Sequence, residues 1–353
     1  MKIPRLIALL LSAALLCATL TACTPDNTPS DPSPQAKSYY EFFDTVTVIF
    51  SYRNDAPEVF EENCLAVSSL LGEYHRLFDI YYEYAGLNNL KTVNQNAGKS
   101  PVKVDARLIE FLLYAKEIYA LTGGKTNVAL GSVLSLWHDA RESGIDDPTS
   151  AALPDAEALQ KASKHTDIEQ LIINVEESTV FLADPDMRLD VGAIAKGYAT
   201  EKAAQLLFSR GVTAYALNVG GNLRTLGEKP SGNGWITGIT NPNKNGNEEF
   251  VMKVILKDTS LVTSGDYERF YTVDGVSYHH IIDPNTNMPA AYFSSVSIFT
   301  KDSGLADALS TALFCMPYAE GLALIESIGD VEALWVERNG TVHKTDGIEP
   351  YVA

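Results

Sequence analysis

Four short segments in the second half of the chain combine acidic, basic and hydroxyl side chains at spacings that could serve phosphate chemistry. The first, residues 189–198, reads LDVGAIAKGY, so an acid, a glycine turn and a lysine open a predicted helix. Free N–H groups and the positive dipole end make a helix start a favourable site for phosphate. Asp190 and Lys196 could serve such a site, although an ordinary Asp-capped helix with a solvated lysine has the same spacing.

The second segment, residues 218–222, reads NVGGN and places Gly220 and Gly221 directly after a predicted strand. Paired glycines let the backbone approach a ligand closely, but after a strand they are more often a simple turn. No GxGxxG motif occurs in the chain, so the sequence carries no Rossmann-type dinucleotide fingerprint.

The third segment joins residues 263–269 (TSGDYER) to residues 278–284 (YHHIIDP). On a strand, His279 and His280 would point to opposite faces, so at most one of them would face a given site. A histidine within reach of Asp283 could act as a general base or donate to a phosphate. Surface or capping histidines would give the same pattern.

The fourth segment, residues 306–311 (ADALST), places Asp307 and Thr311 on one face of a predicted helix. A carboxylate and a hydroxyl are hard oxygen ligands, which suit Mg²⁺ better than Zn²⁺. By itself, such a pair is too common to indicate a metal site.

The composition limits the classes of partner. The chain has 353 residues, 46% of them hydrophobic and 20% charged, which is typical of a globular protein. With 27 Lys and Arg against 45 Asp and Glu, the formal net charge is −18. Because a nucleic-acid duplex and an anionic lipid surface both attract basic proteins, we expect no nucleic-acid partner and no charge-driven membrane binding.

The N-terminus reads as an export signal. Residues 1–22 have a basic start with Lys2 and Arg5, an apolar run and a small-residue end, the pattern of a secretory signal peptide. A membrane-spanning helix is the alternative, but the apolar run is short and no stop-transfer charges follow. Together with Cys23 the segment reads LTAC, which resembles the bacterial lipobox, in which the cysteine is lipidated.

The organisation predicted from this pattern has three parts: a signal peptide over residues 1–22, a lipidated Cys23 with a flexible tether over residues 23–37, and a folded domain over residues 38–353. Loss of the signal would change the charge from −18 to −20, because residues 1–22 hold two cations and no acid. The acyl chains would anchor the exported protein to the outer face of the cell membrane. That face is the periplasmic one if the source has an outer membrane.

The elements that must position the four segments predict an α+β fold. Predicted strands come as antiparallel meanders and predicted helices in separate groups, which favours a single compact α+β domain over a doubly wound parallel sheet. We predict helices over residues 57–79, 105–120 and 193–210, and strands over residues 214–219 and 279–282. Cys64 and Cys315 fit buried small hydrophobes, with a long-range disulfide as the alternative.

In their order, the four segments resemble the FAD:protein FMN transferases of the ApbE flavin-transferase family. The family patterns are Asp-x-x-Ala-Ile-x-Lys-Gly-Tyr, Asn-x-Gly-Gly-Asn, Ser-Gly-x-Tyr-x-Arg, His-Ile-Ile-Asp-Pro and Ala-Asp-Ala-Leu-x-Thr-Ala-Leu. All five occur here over about residues 187–316, and weaker agreement covers residues 40–140. The lipobox is common in this family as well.

The resemblance implies a single T-fold-like α+β domain that binds FAD in a cleft. The expected Mg²⁺ ligands are the Ala193 carbonyl and the side chains of Asp307 and Thr311. We predict His280 and Asp283 as catalytic residues. The positions that match FAD-binding positions of the family are Tyr81, Asp190, Lys196, Ser264, Gly265 and His280.

The implied reaction transfers FMN from FAD to a Thr or Ser hydroxyl of a partner protein and releases AMP. The expected acceptors are membrane redox subunits or exported flavoproteins. Two alternatives remain open from the sequence: a Mg²⁺-dependent FAD pyrophosphatase that yields FMN and AMP, and a non-catalytic lipoprotein that binds flavin or another solute.

The chain departs from the family pattern at several positions. Asn287 replaces a common glycine in the turn after the histidines, and Ser310 replaces a common aspartate beside Thr311. Asn127 and Ala129 stand where many members have Asp and Thr. The segment after Tyr81, YEYAGLNNL, also differs from the common Asp-Pro-x-Ser form.

Overall fold

The largest sheet of the protein is an eight-stranded antiparallel sheet, seen in a computed structural model that describes residues 31–243 and 248–353. Its strand order is β1-β2-β6-β7-β10-β15-β16-β17, and every neighbouring pair is antiparallel. In that order the strands are β1 (Gln35–Phe42), β2 (Thr45–Ser51), β6 (Tyr215–Val219), β7 (Asn222–Leu226), β10 (Ser260–Gly265), β15 (Phe293–Thr300), β16 (Glu332–Glu337) and β17 (Val342–Lys344).

Four smaller sheets lie outside it within the described ranges. One has three strands in the order β3-β5-β4, and the others are two-stranded pairs. The three-stranded sheet holds β3 (Val102–Lys103), β4 (Leu171–Asn174) and β5 (Thr179–Leu182). The pairs are β8 (Trp235–Thr240) with β9 (Phe250–Leu256), β11 (Phe270–Val273) with β12 (Val276–His279), and β13 (Ile282–Asp283) with β14 (Met288–Pro289).

Eight α-helices occur in the described residues. They are α1 (Pro57–Phe78), α2 (Leu90–Gln95), α3 (Ala106–Leu121), α4 (Gly131–Asp146), α5 (Ala156–Ala162), α6 (Ala195–Ser209), α7 (Ser303–Phe314) and α8 (Tyr318–Ile328). Short 3₁₀ turns cover Val128–Leu130, Ser163–His165, Ile168–Gln170 and Asp346–Tyr351. Each helix of the described part is too short or too polar to cross a bilayer.

Helices α6 and α7 form the layer that carries the site. They pack on each other, and α7 also packs on β10 and β15. Glycines let the two helices approach closely, because a Cβ on Gly197 would meet Ser303 and Asp307 of α7, and a Cβ on Gly304 would lie 3.3 Å from the α-carbon of Tyr198 in α6. On the other side of α6, Tyr198 packs among aromatic rings of α1 and α3.

The α+β class and the single domain are confirmed, because residues 31–353 form one compact unit of helices and antiparallel strands. The predicted helices occur within a few residues of their expected bounds. Cys64 and Cys315 are free and buried, so the disulfide alternative is wrong. The predicted strand over residues 279–282 is interrupted, since β12 ends at His279 and β13 begins at Ile282.

The predicted tether meets the structure only at its end. The predicted signal peptide, Cys23 and the tether as far as residue 30 lie outside the described residues. Strand β1 begins at Gln35, within the stretch predicted as tether, because Gln35 pairs with Ser51 of β2. Asp31 also contacts the domain, since its carboxylate accepts a hydrogen bond from the Ser231 N–H at 3.0 Å.

Candidate active site

The junction of α6 and α7 brings Lys196 and Asp307 together. The Gly197 N–H, in the first turn of α6, donates to Asp307 Oδ2 at 2.8 Å. Lys196 Nζ lies 4.0 Å from the same oxygen. Because the first N–H groups of a helix have no partner within the helix, the carboxylate satisfies one of them. The phosphate-binding helix start predicted from the sequence therefore already contains a buried anion.

Asp307 is suited to bind a cation. Only 5% of the residue is exposed, and burial raises the pKa of its carboxyl, against the opposing effects of Lys196 and the Gly197 N–H. Among the described residues, both polar partners approach Oδ2, which leaves Oδ1 for a further ligand. Thr311 lies one turn later on α7, and Ala193 lies just before α6. Carboxylate, hydroxyl and carbonyl oxygens form a donor set that fits Mg²⁺.

Ser264 and Ser310 connect the sheet to this junction. Their hydroxyl oxygens lie 2.8 Å apart, and the Ser310 hydroxyl also donates to the Asp307 carbonyl at 2.9 Å. Ser310 is fully buried. The serine that replaces a common aspartate of the family therefore bridges β10 and α7 through its hydroxyl.

His280 is held in one orientation by the backbone of Arg269. The Arg269 carbonyl accepts from the His280 N–H at 3.1 Å and lies 3.2 Å from its ring Nδ1. This contact assigns the ring proton to Nδ1 and leaves Nε2 as an acceptor. Burial, and then the charges of Arg269 and Lys196, lower the pKa of His280 to about 3. The imidazole is therefore neutral at ordinary pH, and Lys196 lies near both His280 and Asp307.

His279 has a different environment from its neighbour. It is buried, its Nε2 lies 2.9 Å from the Ala290 carbonyl, and its Nδ1 accepts from the Ile281 N–H. Burial lowers the pKa of His279 to about 4. The two ring nitrogens are thus used within the fold, which leaves His280 as the histidine of the pair that can serve a ligand.

Asp283 forms a buried ion pair. Lys125 Nζ lies 3.0 Å from Asp283 Oδ1, with 11% and 4% of the two side chains exposed. The Asn285 N–H donates to the same carboxylate, and the Asp283 carbonyl accepts from the Asn287 N–H. Within the described residues, neither histidine is a hydrogen-bond partner of Asp283. These contacts give Asp283 a role in shaping the turn, and its part in catalysis stays a prediction.

Tyr81 and Asp190 line a cavity of about 790 Å³. The Tyr81 ring lies 5.3 Å from that of His138, and the Asp190 carboxylate accepts from the Gly192 N–H at 2.9 Å. Tyr81 is half exposed, and its partial burial, followed by the charge of Asp190, raises the pKa of Tyr81 to about 12. Burial raises the pKa of Asp190, opposed by the Gly192 N–H and the charges of His138 and Arg141.

The cavity and the α6–α7 junction are neighbours. Arg269 influences the pKa of both Tyr81 and His280, and Lys196 that of both His280 and Asp307, so these groups lie within electrostatic reach of one another. Asp283 is tied to a separate element through Lys125. No motif points to Lys125, His138 or Arg141, because each stands outside the segments that carry the family resemblance.

The turn residues that depart from the family pattern are accommodated by the fold. Asn287 adopts a positive φ of 58°, which asparagine tolerates better than most residues. Its carbonyl accepts from the Trp137 indole N–H at 2.9 Å. The Asn127 side chain caps the 3₁₀ turn Val128–Leu130 by accepting from the Ala129 N–H. Both substitutions therefore preserve local structure.

The chain is similar to one known protein family over most of its length. The model of the ApbE family matches residues 45–335. A curated FAD:protein FMN transferase of Treponema pallidum is 38% identical over 273 residues, which cover 73% of each chain. A second one, from Klebsiella pneumoniae, is 29% identical and is matched over 75% of this chain and 82% of its own length.

Solved structures show the same architecture. An ApbE protein of Thermotoga maritima superposes with a TM-score of 0.79 at 26% identity, over 91% of this chain and 100% of its own. The flavin transferase ApbE of Vibrio cholerae gives a TM-score of 0.76 at 25% identity, over 91% and 99% of the two chains.

Proposed function

Because the chain belongs to the ApbE family, whose curated relatives are FAD:protein FMN transferases, it is a transferase, and we propose that it moves FMN from FAD to a Thr or Ser hydroxyl of a partner protein. In this proposal the reaction depends on Mg²⁺ and releases AMP. The acceptor is a membrane redox subunit or an exported flavoprotein.

The observation that carries this proposal is the buried Asp307 carboxylate at the start of α6. Its position next to Lys196 and the Gly197 N–H makes a mixed site, in which a cation and a phosphate can bind side by side. Bound there by Asp307, Thr311 and the Ala193 carbonyl, Mg²⁺ would neutralise charge on the pyrophosphate. Lys196 adds a positive charge, which also lowers the pKa of His280.

His280 supplies the base in this proposal. Its Nδ1–H is fixed on the Arg269 carbonyl, so Nε2 can accept the proton of the incoming hydroxyl. The hydroxyl oxygen forms a bond to the FMN phosphorus while the bond from that phosphorus to the bridging oxygen breaks. The electron pair of the broken bond leaves with AMP, and FMN remains on the acceptor as a phosphoester.

The remaining predicted residues act in binding. The cavity beside the junction, together with the Tyr81 ring, has the size and the aromatic surface to hold part of FAD. Asp283 acts through the turn that follows His280, because it is fixed by Lys125 rather than directed at a histidine. The proposed FAD-binding residues are Tyr81, Asp190, Lys196, Ser264, Gly265 and His280.

A transfer assay tests the proposal against its alternatives. The protein is incubated with FAD and a membrane-protein fraction from the source, with Mg²⁺ or with a chelator. A fluorescent flavin band on an acceptor supports the transferase if it forms only with Mg²⁺ and if one AMP is released for each FMN attached. Free FMN and AMP without a labelled protein would show an FAD pyrophosphatase instead. FAD bound without any product would show a binding protein.

We further propose that Cys23 carries the lipid anchor that keeps the protein on the outer face of the cell membrane. The lipobox-like LTAC sequence supports this proposal, and the tether ends where β1 begins at Gln35. Replacement of Cys23 by Ser should move the protein from the membrane to the soluble fraction and abolish labelling by radioactive palmitate. A membrane-bound, unlabelled Cys23→Ser variant would contradict the anchor.

A further inference from the structure

One short segment outside the five family motifs, residues 125–128, contacts all three parts of the candidate active site. It follows α3 and leads into the 3₁₀ turn Val128–Leu130. Its first contact is the buried pair of Lys125 Nζ and Asp283 Oδ1, which lie 3.0 Å apart. Asp283 stands three positions after His280, and its carbonyl accepts from two later N–H groups of the same turn. Lys125 therefore holds the turn that follows the proposed base.

The second contact is with the helix that carries the proposed Mg²⁺ ligands. The Thr126 hydroxyl donates to the Ala308 carbonyl at 2.8 Å, and Thr126 is 2% exposed. Ala308 directly follows Asp307 on α7, so this bond reaches the backbone next to the carboxylate. The Thr126 N–H donates to the hydroxyl of Thr122, at the end of α3. Thr126 is therefore fixed to α3 on one side and to α7 on the other.

The third contact is with the acidic segment before α6. The Val128 carbonyl accepts from the Asp190 N–H at 2.8 Å. Three positions later, Gly131 packs against the residues that precede Asp190, because a Cβ on Gly131 would lie 2.5 Å from the Arg188 carbonyl oxygen. Four consecutive residues thus touch the turn of the proposed base, helix α7 and the wall of the cavity.

Such a link matters because His280 lies outside the main sheet. Strands β11 and β12, which precede it, form a separate two-stranded sheet, and the Arg269 carbonyl that orients its ring stands directly before β11. Helix α7, in contrast, packs on β10 and β15 of the main sheet. The distance between the proposed base and the proposed Mg²⁺ ligands therefore depends on contacts that join these two parts. Lys125 and Thr126 are adjacent residues that contact one part each.

We propose that Lys125 is a positioning residue that, through Asp283, holds His280 at a working distance from Asp307, an inference that rests on the proposed function. A charge-assisted hydrogen bond is stronger than one between neutral groups, so it restrains the turn more closely. Because a misplacement of about 1 Å can lower a rate about a hundredfold, loss of this restraint should slow transfer even in a folded protein. The Thr126 bond fixes the other end of the link on α7.

The double variant Lys125→Met with Asp283→Asn separates positioning from stability. It leaves neither member of the pair as an unpaired buried charge, so it should resist urea better than Lys125→Met alone. If the pair were only structural, transfer would recover together with stability. Positioning predicts instead that kcat stays about a hundredfold below the wild-type value, while the Kd for FAD, measured by flavin fluorescence, changes little. Lys116→Met, which breaks an exposed pair with Glu169, should transfer at the wild-type rate.

Titration of His280, followed by NMR, gives a readout that requires no acceptor. In the wild type, burial, and then the charges of Arg269, Lys196 and His279, lower the pKa of His280 to about 3. A turn released in the double variant should let the ring reach solvent, so its pKa should rise toward the ordinary value of 6.5. The spectrum of His280→Ala assigns the signal. An unchanged titration in the folded double variant would show that the pair does not set the position of His280.

Thr126→Val tests the other end of the link and keeps the ion pair. The substitution removes the hydroxyl that donates to the Ala308 carbonyl and leaves a side chain of nearly the same shape. It should lower kcat in the same direction as the double variant. Wild-type rates in both variants would overturn the inference and leave the transferase assignment intact. If the wild-type protein labels no acceptor, the proposed function itself fails, and the His280 titration still shows whether Lys125 holds the turn.

Discussion

The Gly197 N–H donates to Asp307 Oδ2 across 2.8 Å, and no side chain could replace the hydrogen atom on the Gly197 α-carbon. A Cβ at this position would lie 2.3 Å from Asp307 Cβ and equally close to the Ser303 carbonyl. Only glycine therefore allows α6 to begin against α7 with the carboxylate on its first turn.

Gly197→Ala should displace Asp307 and lower FMN transfer by about a hundredfold, the size of effect that a misplacement of about 1 Å can have. Overpacking should also reduce the free energy of unfolding by about 1–3 kcal/mol. Initial rates and urea unfolding measure the two effects. Gly321→Ala is the matched control, because Gly321 also lies within a helix and its Cβ would press only on the flexible end of the Leu313 side chain, with the Trp335 ring at an ordinary contact distance of 3.6 Å. Full activity in Gly197→Ala would show that the contact is not required.

Asp307→Asn should remove the response to Mg²⁺ while preserving the fold. The side-chain amide oxygen of the variant can still accept from the Gly197 N–H. The substitution also removes the negative charge of the Asp307 carboxylate, whose burial is unfavourable. Wild-type protein should gain about 2.7 kcal/mol of stability at a Mg²⁺ concentration one hundred times the Kd, and the variant should gain none. Thermal melting with and without Mg²⁺ measures the difference. Asp302→Asn, which keeps the cap of α7, should respond as the wild type does. A Mg²⁺ response retained in Asp307→Asn would place the metal elsewhere.

The pH dependence of transfer should reflect a histidine that protonates only in acid. Burial and the charges of Arg269 and Lys196 lower the pKa of His280 to about 3, so its neutral, proton-accepting form persists well below the ordinary value of 6.5. The kcat/KM for FAD, which reports the free protein, should therefore stay level as the pH falls through 6.5 and decrease only in stronger acid. An acid limb centred at pH 6.5 or above would disagree with this environment.

His280→Ala should reduce the transfer rate by about 10²–10⁴, the range for loss of a general base. His343→Ala is a suitable control, because His343 is a partly exposed residue paired with Glu337 on the far strand of the sheet. Rates with an added acceptor, measured by in-gel flavin fluorescence, compare the two variants. An unchanged rate in His280→Ala would exclude the role of base.

Loss of Lys125 should destabilise the protein far more than loss of a surface lysine. Lys125→Met leaves the buried Asp283 carboxylate without its cation, which should cost about 3–5 kcal/mol in the free energy of unfolding. The double variant Lys125→Met with Asp283→Asn should recover part of this loss. Lys116→Met, which breaks an exposed pair with Glu169, should cost less than about 1 kcal/mol. Urea unfolding distinguishes the variants, and equal losses would mean that the buried pair contributes little.

Local sequence patterns were sufficient to predict most of the elements around the site. The apolar spacing of α1 and the Asp105 cap of α3 depend on residues within the same helix, so their bounds could be predicted closely. Helix α4 was not predicted, because it continues from a 3₁₀ turn and has no side-chain cap at its start. The first three residues of strand β1 fall within the predicted tether, because their pairing with β2 cannot be seen in the composition of residues 23–37.

The sequence by itself determined the motif set, the family resemblance and the shared helix face of Asp307 and Thr311, since these depend on residue identity and short spacing. The tertiary structure alone decided which of these groups meet. Gly197 and Asp307 are 110 positions apart, and Lys125 and Asp283 are 158 apart. Such contacts depend on how α6, α7 and the strand β13 pack, and short-range periodicity contains no information about that packing.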